Sequence, residues 1–408
     1  MHKKKVLVVC PGPIYPITMG SQIRMINIIK GLSQDHEVDV IARIPDRSHL
    51  SPEYVGKIME ICNEYYPILA PNKQNYFKRI YYRIKFGIVK FSSIPNDFFY
   101  FSILSLQKRI ATVANSKRYD IIICEFWYSC SFYNRMLYKP YFVLDTIDVN
   151  FKKRELELKS RGKWESGYKK IQKYRELELK YTGLNDLIIS VSEPDYHFFR
   201  ENVSDKAHIK IPIGQDLSKF LQLKIRDYER NSILFYGSMS SFQNQEAFWI
   251  LYNEIIPGIK KFKPGLQLNV VGSKPPKEIK ALHDGKTIFI HGFVMDLTHA
   301  ISKNALLILP LRSGGGFRTR IIEVMALGVP VIGTHNALNC IEMKSGIHGF
   351  ITDSNSEMTE YAVRILNNPN LRKKMSEECI KFVSTKYSME ATYRKLSNYL
   401  IGLDGESG

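Results

Sequence analysis

At 408 residues the chain exceeds what one simple core fills, so two domains of about 200 residues each are expected. With 44% hydrophobic and 24% charged residues it reads as a folded globular protein, which excludes an extended disordered chain, and no apolar run approaches the ~18 residues of a membrane span. The formal charge of +18 favours anionic partners, and it is unevenly placed: residues 1–215 hold 34 Lys+Arg against 22 Asp+Glu, the remainder 24 against 18.

The first element is a buried strand at residues 6–10. Its basic start imitates a signal peptide, but the apolar run ends after five residues at Pro11-Gly12-Pro13, too short for the hydrophobic region of one. A helix over 21–32 follows, with Ile23, Ile26 and Ile29 near helical spacing, then a strand at 36–41. This strand–loop–helix–strand opening begins a doubly wound parallel sheet, and its first loop lacks GxGxxG, so a dinucleotide site is not expected there. Further strands are predicted at 121–124, 141–144 and 187–191. A second alternation places strands at 232–236, 266–271, 287–291, 305–309, 331–333 and 349–352, with a helical tail over 389–400. The domains expected are 1–222 and 223–388, with 389–404 a helix that crosses back to the first. Six cysteines show no CxxC pair and no metal-ligand spacing, which fits a reduced, cytoplasmic protein.

Two stretches of the first half are distinctive. Residues 76–91, YFKRIYYRIKFGIVKF, interleave five basic residues with apolar positions 77, 80, 81, 84, 88 and 91. Such a helix suits an anionic membrane surface, and equally a core-packing helix with a solvated basic face. Residues 151–181 contain RELELK at 154–159 and again at 175–180, and predict a long, partly exposed helix interrupted near Gly162 and Gly167.

Most of the chemistry is concentrated at residues 310–334, PLRSGGGFRTRIIEVMALGVPVIGT. An apolar strand ends at Pro310, Gly314, Gly315 and Gly316 follow, and Arg318 and Arg320 lead into a helix that carries Glu323. Glycines let backbone approach a ligand closely, and a helix start offers unpaired N–H groups and partial positive charge. With the arginines as countercharge, the segment suits a diphosphate, and Glu323 can accept two hydrogen bonds from a ribose diol. An ordinary strand–turn–helix remains open, with Gly328 as C-cap, Pro330 as stop and Arg320–Glu323 as a surface ion pair at i, i+3.

From Tyr236 onward the order of motifs resembles the retaining family 4 (group 1) glycosyltransferases of the GT-B fold, and within them a bacterial exopolysaccharide branch. The residues that carry the resemblance are Gly237-Ser238-Met239 with Asn244, Val270-Val271-Gly272, His291-Gly292-Phe293-Val294 with Asp296, and Pro310-Leu311-Arg312. The glycine run, Glu323 to Gly328, and Pro330-Val331-Ile332 complete the C-terminal series. Weaker echoes are Gly20 with Arg24, Asp145 with Asp148, Val191-Ser192-Glu193 with Asp195, and Ile211-Pro212 with Gly214 and Asp216. The resemblance implies an α/β architecture of two Rossmann-like, doubly wound domains facing across a cleft. A nucleotide-sugar donor would lie in the C-terminal one. Glu323 would hold the ribose, and backbone at Phe293 and Val294 would border the base. Gly314, Gly315, Gly316, Gly237 and Asn244 would line the donor, with Arg318 and Arg320 on the leaving diphosphate. Gly20 and Arg24 would approach the phosphates from the N-terminal domain, and Asp148 would position the sugar or the acceptor. No cofactor and no metal are expected, since the sequence has no DxD and arginines can supply the charge.

Three departures from the family pattern stand out. The first of the family's paired glutamates would fall at Gly315, Ser238 and Asn244 stand where an Arg and a Lys are usual, and Ile213 replaces an asparagine. Glu125, His291, His335 and Asn336 are further candidates at strand ends. The function implied is transfer of a sugar to a lipid-linked or saccharide acceptor in cell-surface polysaccharide synthesis, retaining in outcome. It would take place in the cytoplasm, with possible peripheral contact to anionic membrane through 76–91 and no nucleic acid as partner. A GT-B epimerase or phosphorylase, or a non-catalytic binder of anionic lipid or nucleic acid, are the rival readings.

Overall fold

The computed structural model describes residues 3–69, 104–222 except 161 and 163, and 231–403 except 315. The basic segment 76–91 and Gly315 therefore lie outside the described residues. Packing divides the chain into two units, Met1–Gly214 with Thr392–Gly408, and Gln215–Ala391. The expected boundaries stood at 222 and 388; the packing draws them at 214 and 391.

Unit 1 is built on a seven-stranded sheet in the order β3-β2-β1-β4-β5-β6-β7. Its strands are β1 (Lys5–Cys10), β2 (Glu37–Ile44), β3 (Glu64–Leu69), β4 (Ile121–Glu125), β5 (Tyr141–Asp145), β6 (Leu187–Ser190) and β7 (Ala207–Lys210). Every pairing is parallel. Strands buried on both faces need continuous apolar runs, and β1 and β4 supply them with VLVVC and IIICE. Cys10 and Cys124 lie inside these runs as small buried hydrophobes.

Two differences from the expected elements appear here. Strands β3 and β7, at the two sheet edges, were not anticipated. The long helix breaks once, around Gly162, into Asn150–Ser160 and Trp164–Thr182; Gly167 does not interrupt the second helix but lies within it. A Cβ on Gly167 would stand 2.4 Å from the Leu158 side chain, so the glycine serves close packing of the two helices.

Unit 2 repeats the plan with six parallel strands in the order β10-β9-β8-β11-β12-β13. These are β8 (Ser232–Tyr236), β9 (Gln267–Val271), β10 (Ile288–Gly292), β11 (Leu306–Leu309), β12 (Val331–Gly333) and β13 (Gly349–Ile351). Each unit thus winds outward in both directions from its first strand. The order reverses between β1 and β4 in unit 1, and between β8 and β11 in unit 2. In such sheets ligands occupy the crevice at the carboxyl ends of the strands beside the reversal. Among the described residues no helix is long and apolar enough to cross a membrane.

Candidate nucleotide-sugar site

In unit 2 the reversal lies between the end of β8, at Tyr236-Gly237, and the end of β11, which opens into the glycine loop. Gly314 and Gly316 take φ of +91° and +90°, a region that favours glycine. Arg318 is the N-cap of the helix Thr319–Ala326, so Arg320 falls in its first turn and Glu323 in its second.

The two arginines have different partners. Arg318 Nη1 donates to the carbonyls of Asn336 (2.8 Å) and Ala337 (3.3 Å), and Nη2 to that of Gly314 (3.0 Å). It therefore braces the glycine loop against the turn after β12. Arg320 donates from Nη2 to Asn244 Oδ1 at 3.0 Å, while its Nε is shut off from solvent without a partner. No carboxylate pairs with it among the described residues. Burial first, then the charge of Arg318, push its pKa down to about 10.

Asn244 in turn donates to the Ser238 carbonyl at 2.7 Å, so it holds Arg320 in place from the helix Phe242–Ile250. A Cβ on Gly237 would come within 2.0 Å of Arg320 Nη1, so only glycine leaves room for the guanidinium. The i, i+3 ion pair open to Arg320 and Glu323 does not form. Glu323 Oε2 accepts instead from the Tyr236 hydroxyl at 3.0 Å, and Oε1 has no hydrogen-bond partner among the described residues. Burial raises the Glu323 pKa, against the Tyr236 bond and the Arg320 charge. Tyr236 was missed in the sequence; its one signal is its place as the last residue of β8, directly before Gly237.

Phe293 is exposed and Val294 half-buried in the loop that leaves β10 at Gly292, whose φ is +67°. His291 Nε2 meets Asn269 Oδ1 at 2.9 Å. A groove of about 550 Å³ on the β9–β10 face includes Asn269, His291, Val294 and Asp296, but neither Arg320 nor Glu323. The chemistry of the reversal and this groove are thus different places. Asn336 donates to the carbonyl of Ser313 at 3.0 Å, and His335 is exposed beside it.

The unit 1 candidates have other surroundings. Gly20 is the exposed first residue of the helix Gly20–Leu32. Arg24, expected near the donor phosphates, is fully buried. It grips Asp145 through Nε–Oδ2 (2.5 Å) and Nη2–Oδ1 (2.7 Å), and donates from Nη1 to the carbonyls of Ile211 (3.0 Å) and Pro212 (3.2 Å). Burial opposes its charge and Asp145 more than restores it, so the net shift is upward. Glu125 pairs in register with Asp145 and is equally buried. Its oxygens have no partner except, once Glu125 carries a proton, the Asp145 carboxylate. Burial and then the Asp145 charge hold its pKa well above the carboxylate range. Asp148, half-buried after β5, meets Lys153 Nζ at 3.2 Å.

Residues 230–368 match the family model of the Glycosyl transferases group 1. Over 419 aligned residues the chain is 20% identical to a 44.6 kDa protein in the cps region of Klebsiella pneumoniae, covering 96% of this chain and 98% of that protein. Sucrose-phosphate synthase from Thermosynechococcus elongatus superposes with a TM-score of 0.69 at 16% identity, covering 99% of this chain and 100% of that one. Anabaena HepE in complex with UDP gives 0.65 at 11% identity, covering 98% and 100%. The fold is therefore that of the GT-B glycosyltransferases, with two Rossmann-like units. The group 1 match spans β8 through β13, so the glycine loop, Arg320 and Glu323 all belong to it.

Proposed function

We propose that the protein is a glycosyltransferase that binds a nucleoside-diphosphate sugar at the β8–β11 reversal of unit 2. The observation that carries this reading is Arg320, a cation with an unbonded Nε and no carboxylate partner among the described residues, held beside a glycine loop and a helix start. A part-buried, unpaired charge is costly unless an anion completes it. Glu323 stands one helical turn further on with Oε1 free, suited to a ribose hydroxyl, and Phe293 and Val294 would border the base. The UDP bound to HepE supports the same ligand class.

On this reading the acceptor hydroxyl attacks the anomeric carbon as the bond from that carbon to the diphosphate oxygen breaks, and the hydroxyl proton passes to the departing diphosphate. Arg320 and the amides of the glycine loop stabilise the charge that grows on the leaving oxygen, and Arg318 keeps that loop in position. Such countercharge makes a metal unnecessary, so chelation should not change the rate. We further propose retention of anomeric configuration, a lipid-linked or saccharide acceptor in cell-surface polysaccharide synthesis, and a reaction at the cytoplasmic face of the membrane. The basic segment 76–91 would be the membrane contact.

The test is a thermal-shift panel of UDP, GDP, ADP, CMP and dTDP on wild type and Glu323→Ala. A ligand at ~100 times its Kd adds about 2.7 kcal/mol of stability. One nucleoside diphosphate should raise the wild-type midpoint and shift the variant far less; no shift from any of them would refute the donor site. A product of inverted configuration in an NMR assay would overturn retention alone.

A further inference from the structure

The glycine loop offers a ligand backbone but no side chain between Ser313 and Phe317, so any group lying over it must be recognised from neighbouring loops. One of these is the turn after β12. Arg318 binds the Asn336 and Ala337 carbonyls, and Asn336 Nδ2 returns to the Ser313 carbonyl, so turn and glycine loop are stitched together from both sides. His335 opens this turn at the carboxyl end of β12, next to β11 in the sheet.

His335 is held unusually well for an exposed side chain. Asp353, just beyond β13, accepts from the His335 backbone N through Oδ1 and meets Nδ1 through Oδ2, both at 3.0 Å. Asp353 is fixed in turn, since Arg312 donates to its carbonyl and to Asn355 Oδ1. The imidazole is nevertheless 72% exposed, and Nε2 has no partner among the described residues. Two anchoring bonds on a ring whose other nitrogen faces solvent restrict its rotation without burying any surface. A carboxylate on Nδ1 selects the tautomer with its proton there, which leaves a lone pair on Nε2 of the neutral ring. Phosphate oxygens only accept hydrogen bonds; a sugar hydroxyl can donate one.

We propose that His335 recognises the sugar of the donor, its Nε2 accepting a hydrogen bond from a sugar hydroxyl while Asp353 holds Nδ1. This rests on the nucleotide-sugar reading of the site. The variants His335→Ala, His335→Asn and His335→Gln are compared with wild type by calorimetric binding of UDP-glucose, UDP-N-acetylglucosamine and GDP-mannose, and of free UDP and GDP. Asparagine can keep the bond to Asp353 but has nothing at the outer nitrogen; glutamine places a polar group there and gives up Asp353. His335→Ala and His335→Asn should weaken the preferred nucleotide-sugar about tenfold, the worth of one hydrogen bond, and leave its free nucleotide within about twofold. His335→Gln should recover most of the loss. The reverse order, with asparagine like wild type and glutamine like alanine, would make His335 a brace for the turn and overturn the proposal, as would equal losses for nucleotide and nucleotide-sugar. Failure of wild type to bind any of the five compounds, together with no thermal shift from any nucleotide of the panel above, would instead bring down the donor-site reading itself.

Discussion

Two arginines, one in each unit, show how differently a similar sheet can use a guanidinium. Arg24 is spent inside unit 1: Asp145 takes two of its nitrogens and two backbone carbonyls take the third. Arg320 is left incomplete among the described residues, with one amide side chain as acceptor, no carboxylate and an unbonded Nε. The first arrangement is closed and belongs to stability. The second is open and, on the function proposed above, belongs to binding, with a ligand to supply the negative charge that no described residue provides. Arginine near the end of a parallel sheet is thus no evidence of an anion site until its partners are counted.

The widest separation between the two should come from truncation. Asp145→Ala strands the Arg24 charge in a dry interior, and breaking a buried pair typically costs about 3–5 kcal/mol. The midpoint of thermal or urea unfolding should fall steeply. Arg320→Met should do the opposite, leaving the midpoint unchanged or slightly higher because it removes an unpaired charge. Its loss should appear in calorimetry as a roughly hundredfold weaker nucleoside diphosphate, since hydrogen bonds to charged groups are worth about 1.5–3 kcal/mol each. A stability loss for Arg320→Met as large as that for Asp145→Ala would erase the distinction.

The sequence showed the open arrangement better than the closed one. Glycine loop, arginines and Glu323 lie within one short stretch, and their residue types state their chemistry without folding. Arg24 and Asp145 are 121 positions apart, and nothing local marks them as partners. The same holds for Tyr236 and Glu323, 87 apart, and for His335 and Asp353. Central strands were readable because burial on both faces demands apolar runs. The edge strands of unit 1 were not: β3, EYYPIL, contains a proline and is only partly buried, and β7, AHIK, is four residues without a pattern.

A smaller effect probes the open site through its backbone. Gly237→Ala would drive a methyl group into Arg320 Nη1 and displace the guanidinium from Asn244. Nucleoside diphosphate binding should weaken about tenfold, roughly one charge-assisted hydrogen bond. Restoring room by a second change, Arg320→Lys, should recover part of that loss only if displacement of the guanidinium is the cause. Unaltered binding in Gly237→Ala would mean that the position of Arg320 under Gly237 is unimportant.

The smallest effect tests how dry the closed cluster is. Glu125 faces Asp145 across β4–β5, with Arg24, Tyr393, Cys10 and Cys124 as further titratable neighbours. Its folded pKa is raised, so it contributes stability that is fully present below the ordinary carboxylate pKa of about 4.3 and is lost as pH rises toward the folded value. Glu178, whose carboxyl burial pushes up to about 8, acts with the same sign, so wild type alone cannot separate the two. The comparison is therefore a difference: midpoints of unfolding from pH 5 to 8 for wild type and Glu125→Gln. Glutamine keeps shape and a donor toward Asp145 but cannot ionise, so the variant should lose less stability than wild type as pH rises. Parallel profiles would mean that water reaches Glu125 and lets it ionise at ordinary cost, and the cluster around Arg24 would then be more open than its burial implies.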